Sequence, residues 1–202
     1  DRRGAELLQA ELGLEVNWSR ELTRVGRPFL EHTRAINSVR VAVTVACGAP
    51  HYQLLAWHGE SELKSDYKRV SVRAPSGRTS LVAVVPDSYF RLQTPRGVAH
   101  FFLELDRGTM TTQRFRTKVM AYQAYYQSGA FQRRYHARGL RILTVNTSQA
   151  RAVNLKRATE AAGGAQRFWF ALLEQITPHT VLTAPIWMVA TKEALEALVP
   201  GA

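Results

Sequence analysis

Two carboxylates stand two residues apart at the end of an apolar run, in FFLELDRGT at residues 101–109. Because side chains alternate between the two faces of a strand, we expect Glu104 and Asp106 on the same face of a buried strand. A charge beside a core is costly unless a partner neutralises it, and a second like charge adds to that cost. The pair therefore predicts a cation, a base or a shared proton at this strand.

A third acid, Asp87 in PDSYF, precedes Glu104 by 17 residues. That spacing suits two strands joined by the short turn at residues 95–97, which would bring the acids of neighbouring strands together. Hard divalent ions prefer carboxylate and water oxygens and keep positions open for a phosphate. We therefore predict that Asp87, Glu104 and Asp106 are ligands of Mg²⁺ or Mn²⁺, the cofactor with which a phosphodiesterase activates water and neutralises the leaving oxygen.

The helix predicted over residues 111–129 offers the remaining chemical groups. Lys118 and Tyr122 are four residues apart, so they are neighbours on one helical face. Lys118 borders an apolar stripe, and its stem could lie along the sheet while the ammonium reaches the carboxylates. Lys118 and Tyr122 complete the predicted catalytic set; the alternatives are an exposed lysine and a tyrosine packed in the core. An ammonium within hydrogen-bond reach of Glu104 or Asp106 would favour catalysis.

The net charge of +11 is concentrated in one segment of the 202-residue chain. No acid occurs from residue 107 to residue 159, whereas eleven lysines and arginines do, which leaves 16 basic and 16 acidic residues elsewhere. Such a segment attracts polyanions through counterion release, and DNA is the partner that we predict; a solvated basic face is the alternative. The predicted DNA-binding residues are Arg107, Arg114, Arg116, Arg133, Arg134, Arg138, Arg151, Lys156 and Arg157.

Composition restricts the other possibilities. The chain is 46% apolar and 21% charged, as expected of one globular domain. Cys47 is the single cysteine, so neither an internal disulfide nor a multi-cysteine zinc site can form from these residues, and a cytoplasmic location is expected. No apolar run approaches the length of a membrane span, and we expect no membrane partner. P-loop and G-x-S-x-G motifs are absent from the sequence.

The pattern of elements predicts an α/β domain with a mixed central sheet flanked by helices. Helices are expected over 28–47, over 111–129 with a threonine cap and an end at Gly129, and over 148–164 with a serine cap. Strands are expected over 52–58, 80–94 with a break at Pro86, 98–105 and 140–146. A polar loop is expected over about 59–79. Residues 167–176 and 181–189 are predicted to be extended.

PDSYF, FFLELDRGT, the helix with Lys118-x-x-x-Tyr122 and RILTVNTSQAR together resemble the replication-relaxation family of plasmid and mobile-element proteins. The resemblance implies a role in plasmid replication and DNA relaxation. It also implies a restriction-endonuclease-like, PD-(D/E)XK core, here residues 28–202, preceded by a winged-helix domain of which residues 1–27 would be the tail and linker. Further partners would be replication or transfer proteins, or a second copy of the chain.

One departure from that nuclease pattern concerns the lysine. Asp87 and Glu104 match its two acids, but Asp106 stands where it has lysine, so the lysine would have migrated to Lys118 on the helix. Two hypotheses follow: a metal-dependent DNA endonuclease or nickase, or a non-catalytic DNA-binding module that recruits a replication or transfer complex.

Overall fold

The computed structural model describes residues 26–73 and 77–199. In chain order these residues form α1 (Arg27–Ala46), β1 (Gln53–Gly59), α2 (Glu60–Ser65), β2 (Lys68–Arg73), β3 (Thr79–Val84), β4 (Ser88–Thr94), β5 (Gly97–Asp106), α3 (Thr112–Gln127), α4 (Ala130–Tyr135), β6 (Arg141–Asn146), α5 (Gln149–Ala161), β7 (Phe168–Leu172), a 3₁₀ turn (Leu173–Gln175), β8 (Trp187–Val189) and β9 (Leu195–Glu196).

Seven of the strands form one mixed sheet in the order β1-β4-β5-β6-β7-β8-β9. The pairs β1–β4 and β4–β5 are antiparallel, β5–β6 and β6–β7 are parallel, and β7–β8 and β8–β9 are again antiparallel. Every residue of β5 from His100 to Asp106 is buried, as expected of a central strand covered on both faces. The predicted mixed α/β sheet flanked by helices is confirmed.

The core is divided between the two faces of the sheet, because successive side chains of a strand project to opposite faces. On one face, Phe101 and Leu103 of β5 belong to a cluster with Val39 and Val43 of α1. On the other face, Phe102 belongs to a cluster with residues of α3, α4, α5 and the separate β2–β3 hairpin. Glu104 and Asp106 follow Phe102 at intervals of two residues, so they lie on the same face of β5 and project toward α3 and α5.

Capping explains where α3 begins and ends. The side-chain oxygen of Thr111 accepts a hydrogen bond from the Arg114 N–H at 3.3 Å, which confirms the predicted threonine cap. Gly129 follows the helix with φ of 71°, a conformation that favours glycine, and lets the chain turn into α4. Ser148 occupies the predicted N-cap position of α5, but its side chain makes no capping hydrogen bond with the described residues.

Two predictions of the connecting segments are also wrong. The loop expected over 59–79 contains α2, β2 and the first residue of β3, because Val70 and Val72 are buried at alternate positions among basic residues that obscured the strand pattern. The extended segment expected over 181–189 is a strand only at Trp187–Val189, since residues 178–183 form turns.

The chain divides into two compact units, residues 1–34 and 35–202. Of the first unit, only the beginning of α1 is described, so the predicted winged-helix tail over residues 1–27 lies almost entirely outside the described residues. No helix in the described ranges is long and apolar enough to cross a membrane.

Candidate active site

Pairing of β4 with β5 brings Asp87 beside Glu104. Ser88 lies opposite Leu103, and the Asp87 N–H donates to the Leu103 carbonyl at 3.0 Å. The Leu105 N–H in turn donates to Asp87 Oδ2 at 2.7 Å, so the Asp87 side chain is held against the strand that carries Glu104. The negative charge of Asp87 raises the pKa of both Glu104 and Lys118. The first two acids of the predicted site are therefore neighbours.

Helix α3 supplies two donors to Glu104. Lys118 Nζ donates to Glu104 Oε2, and the Tyr122 hydroxyl donates to Glu104 Oε1. Tyr122 is buried and packs against Phe102, as expected for the apolar stripe of α3, while Lys118 keeps about a quarter of its side chain exposed. Tyr122 therefore both packs in the core and contacts the carboxylate, and Lys118 lies within the reach that favours catalysis.

Burial governs the protonation of this cluster. The pKa of Glu104 is raised to about 7, chiefly by burial and also by the charge of Asp87, although the Lys118 charge and the hydrogen bonds from Lys118 and Tyr122 oppose the shift. Burial by itself lowers the pKa of Lys118, but Glu104 and Asp87 outweigh burial, so the pKa is raised and the ammonium stays charged. Glu104 can thus exchange a proton near neutral pH while the neighbouring Lys118 remains positively charged.

Asp106 has a different partner. The guanidinium of Arg151 on α5 makes a bidentate interaction with it, in which Nε donates to Oδ2 at 2.6 Å and Nη2 donates to Oδ1 at 3.1 Å. Nη2 of Arg151 also donates to the Met110 carbonyl at 2.5 Å. Within residues 26–73 and 77–199, no group of three histidine, cysteine or acidic side chains is arranged to hold a metal ion. Asp106 therefore does not join Asp87 and Glu104 in the three-carboxylate cluster that the sequence predicted.

Sequence reasoning missed two polar residues on β6. Thr144 lies in register with Glu104 and Asn146 with Asp106, and both are fully buried. Asn146 donates from Nδ2 to the Thr144 carbonyl, whereas its Oδ1 has no hydrogen-bond partner among the residues that the structure describes. The sequence does contain a signal for them, because RILTVN at 141–146 has polar residues at alternate positions of its carboxyl end. Polar side chains on a strand that is predicted to be buried need hydrogen-bond partners.

Eight of the nine predicted DNA-binding residues separate into two groups. Arg134 pairs with Asp66, Arg151 with Asp106 and Lys156 with Glu160, so these charges are already opposed by acids. Five others are exposed and make no ion pair with an acid of the described ranges; they are Arg114, Arg116, Arg133, Arg138 and Arg157. All five lie on α3, α4, α5 or the loop after α4, the elements on the Glu104 side of the sheet.

Comparison with known proteins identifies a family. No curated protein and no solved structure matches the chain. The family model described as Replication-relaxation matches residues 1–140, which include Asp87, Glu104, Asp106, Lys118 and Tyr122. Because this match spans more than half of the 202 residues, the chain belongs to the replication-relaxation family.

Proposed function

We propose that this chain is a divalent-metal-dependent DNA endonuclease or nickase that acts in the replication or relaxation of plasmids or mobile elements. Its family membership suggests the biological setting. The observation that carries the proposed chemistry is the contact of Lys118 with Glu104, next to Asp87. In this proposal, Asp87 immediately before β4, Glu104 on the neighbouring strand β5 and a lysine on the following helix form a variant of the PD-(D/E)XK arrangement in which the lysine has migrated.

Asp87 and Glu104 would hold Mg²⁺ or Mn²⁺. The donor chemistry fits, because Mg²⁺ is commonly bound through one or two carboxylates together with water and substrate phosphate. Once bound, the ion supplies the positive charge that polarises the scissile phosphate. Asp106 could contribute only after release from Arg151, so the two-carboxylate set is the one that we propose.

The residues of the chain have separable roles in this proposal. Lys118 neutralises Glu104 in the absence of metal, and its ammonium can instead face the phosphate or orient the attacking water once metal neutralises the acids. Tyr122 holds the Glu104 carboxylate in one orientation by its hydrogen bond. Arg114 and Arg116, at the start of α3, provide positive charge for the DNA backbone on this side of the sheet.

The alternative is a DNA-binding module without cleavage activity. One observation favours it: each oxygen of Glu104 has a donor and Asp106 is neutralised by Arg151, so the acids are stable without metal. In that case the ion pairs would support the fold and the exposed arginines would bind DNA.

Nicking of supercoiled plasmid with and without Mn²⁺ tests the proposed activity. We expect metal-dependent nicking by the wild type, a loss of about 100-fold or more in Glu104→Gln and in Lys118→Ala, and retained DNA binding. Metal affinity should fall in Glu104→Gln and stay nearly unchanged in Lys118→Ala. Glu174→Gln, at an exposed acid remote in sequence from the site, is the matched control. A wild type that never nicks, at any Mn²⁺ concentration, would leave the DNA-binding module as the function.

DNA binding has its own test. We expect affinity for duplex DNA to fall steeply as salt is raised, and Arg114→Ala to weaken binding by a similar factor for unrelated sequences, because phosphate contacts carry no sequence information. Arg134→Ala should have a smaller effect, since Arg134 already pairs with Asp66. Affinity that is independent of salt would contradict a role for the basic segment in DNA binding.

A further inference from the structure

A basic cavity lies at the end of the sheet opposite the acidic cluster. Its volume is about 580 Å³, and it is lined by residues at the start of β5, immediately before and at the start of β6 and β7, and around β9. Phe101, the lining residue nearest to Glu104 along β5, precedes it by three residues of extended strand, or about 10 Å, and the lining includes neither Glu104 nor Lys118. The cavity is therefore separate from the candidate active site and requires its own explanation.

Three guanidinium groups line this cavity, those of Arg96, Arg141 and Arg167. None of them forms an ion pair with an acid of the described residues. Among the described lining residues there is one acid, Glu196, and its carboxylate is engaged by Lys192 Nζ at 2.8 Å. The described part of the wall thus carries a surplus of about three positive charges.

Aromatic rings hold two of these guanidinium groups in place. The guanidinium carbon of Arg167 lies 3.5 Å from the centre of the Tyr126 ring, and that of Arg141 lies 4.8 Å from the centre of the Trp169 ring. Arg141 is fixed further by donation from Nη1 to the Leu198 carbonyl at 2.5 Å. Because stacked and hydrogen-bonded guanidiniums lose little freedom on binding, they are prepared for an anionic ligand.

The charge of Arg141 is destabilised by partial loss of solvent, and the neighbouring acid does not fully compensate for that loss. Burial lowers the pKa of this guanidinium more than the charge of Glu196 raises it, although arginine remains protonated. A half-buried cation of this kind is stabilised when an anion binds beside it. The arrangement therefore favours a ligand that carries several negative charges.

We propose that this cavity binds the phosphate groups of a nucleotide, either free or as part of a DNA strand. Planar guanidiniums match phosphate oxygens in geometry and charge, and three of them suit a ligand with more than one phosphate charge. A volume of about 580 Å³ falls in the range of small-ligand sites and can accept one nucleotide unit. The inference does not depend on DNA cleavage at Glu104.

Calorimetric titration of the full chain with thymidine 5′-triphosphate tests the proposal, in metal-free buffer so that the acidic cluster contributes no metal-bridged binding. Thymidine is the phosphate-free control ligand, and 5′-phosphorylated octathymidylate distinguishes strand phosphates from a free nucleotide. We expect at least one phosphate ligand to bind, and thymidine to bind about tenfold more weakly or not at all.

The variants Arg96→Gln and Arg167→Gln should each reduce affinity for that ligand about tenfold, because each removes a charged hydrogen-bond donor. Arg91→Gln is the matched control: Arg91 is exposed, lies outside the cavity and should change affinity by less than about twofold. Arg96 is exposed, so its replacement should leave the melting temperature unchanged. Failure of both phosphate ligands to bind, or binding by both variants as tight as that of the wild type, would overturn the proposal.

Discussion

Glu104 and Asp106 lie on the same face of the same strand and are almost equally buried, at 5% and 6% exposure, yet their partners differ in kind. Glu104 receives one ammonium and one phenol, both from α3. Asp106 receives a two-pronged guanidinium from α5, which is itself fixed by the Met110 carbonyl. Burial alone therefore does not decide what a carboxylate on this strand can do.

The difference indicates which acid can change its state. A lysine ammonium on a flexible stem can move to another anion, whereas the rigid fork of Arg151 must break two bonds to release Asp106. Glu104 also has a pKa raised to about 7 by burial, so a proton or a cation can exchange there near neutral pH. We infer that Glu104 belongs to a responsive site and Asp106 to a structural ion pair.

The largest stability effect is expected from Arg151→Met. The change keeps an apolar stem but leaves Asp106 buried beside an unpaired Met110 carbonyl, which should cost about 3–5 kcal/mol of unfolding free energy. Urea denaturation measures the loss, and Arg157→Met, at an exposed position on the same helix, is the control. If the two variants were equally stable, the ion pair of Arg151 with Asp106 would not support the fold, and Asp106 could not be distinguished from Glu104 as a structural acid.

A smaller and pH-dependent loss is expected from Lys118→Met. Without the ammonium, Glu104 is a buried carboxylate with one remaining donor, so we expect a loss of about 2–4 kcal/mol at pH 8. The loss should shrink at pH 5.5, because Glu104 then takes up a proton and needs no cation. Denaturation at both pH values tests this, with Arg116→Met of the same helix as control. A loss that is larger at pH 5.5 would contradict the assignment of Glu104 as the responsive acid.

The pH dependence of stability should itself depend on Glu104. Its native pKa of about 7 lies above the ordinary 4.5, so the native state holds this proton more tightly than the unfolded state. The resulting stability is fully present below pH 4.5 and is lost as pH rises through 7. The unfolding free energy of the wild type minus that of Glu104→Gln should therefore fall by about 1–3 kcal/mol from pH 4.5 to pH 8. A difference that rises with pH would show that Glu104 is ionised well below neutral pH.

The smallest effect is expected from Tyr122→Phe. Loss of the hydroxyl removes one donor from Glu104 Oε1 while the ring still packs against Phe102, so the cost should be about 1 kcal/mol. Because that hydrogen bond lowers the pKa of Glu104, the pKa should rise further in the variant. NMR titration of the Glu104 side chain measures the shift; Tyr126→Phe, whose hydroxyl instead bonds the Arg138 carbonyl, should leave it unchanged.

Local patterns along the chain were sufficient to predict the main elements. The apolar runs around Phe102 and Leu143 indicate buried strands, Thr111 and Gly129 delimit α3, and the turn before β5 places Asp87 near Glu104. These features depend on side-chain periodicity and on residues with restricted backbone preferences, both of which act over a few residues. Strand β2 was missed because basic residues mask its alternation.

The order of residues alone predicts that Glu104 and Asp106 share a face and need positive partners, because the strand period and the cost of a buried charge are local properties. Which cation each acid receives depends instead on long-range packing. Arg151 is 45 residues from Asp106 and was predicted to bind DNA, but the parallel crossover from β5 to β6 and on into α5 brings it to the same strand. The basic cavity has the same origin: Arg96, Arg141 and Arg167 are distant in sequence and meet because their strands begin at the same end of the sheet.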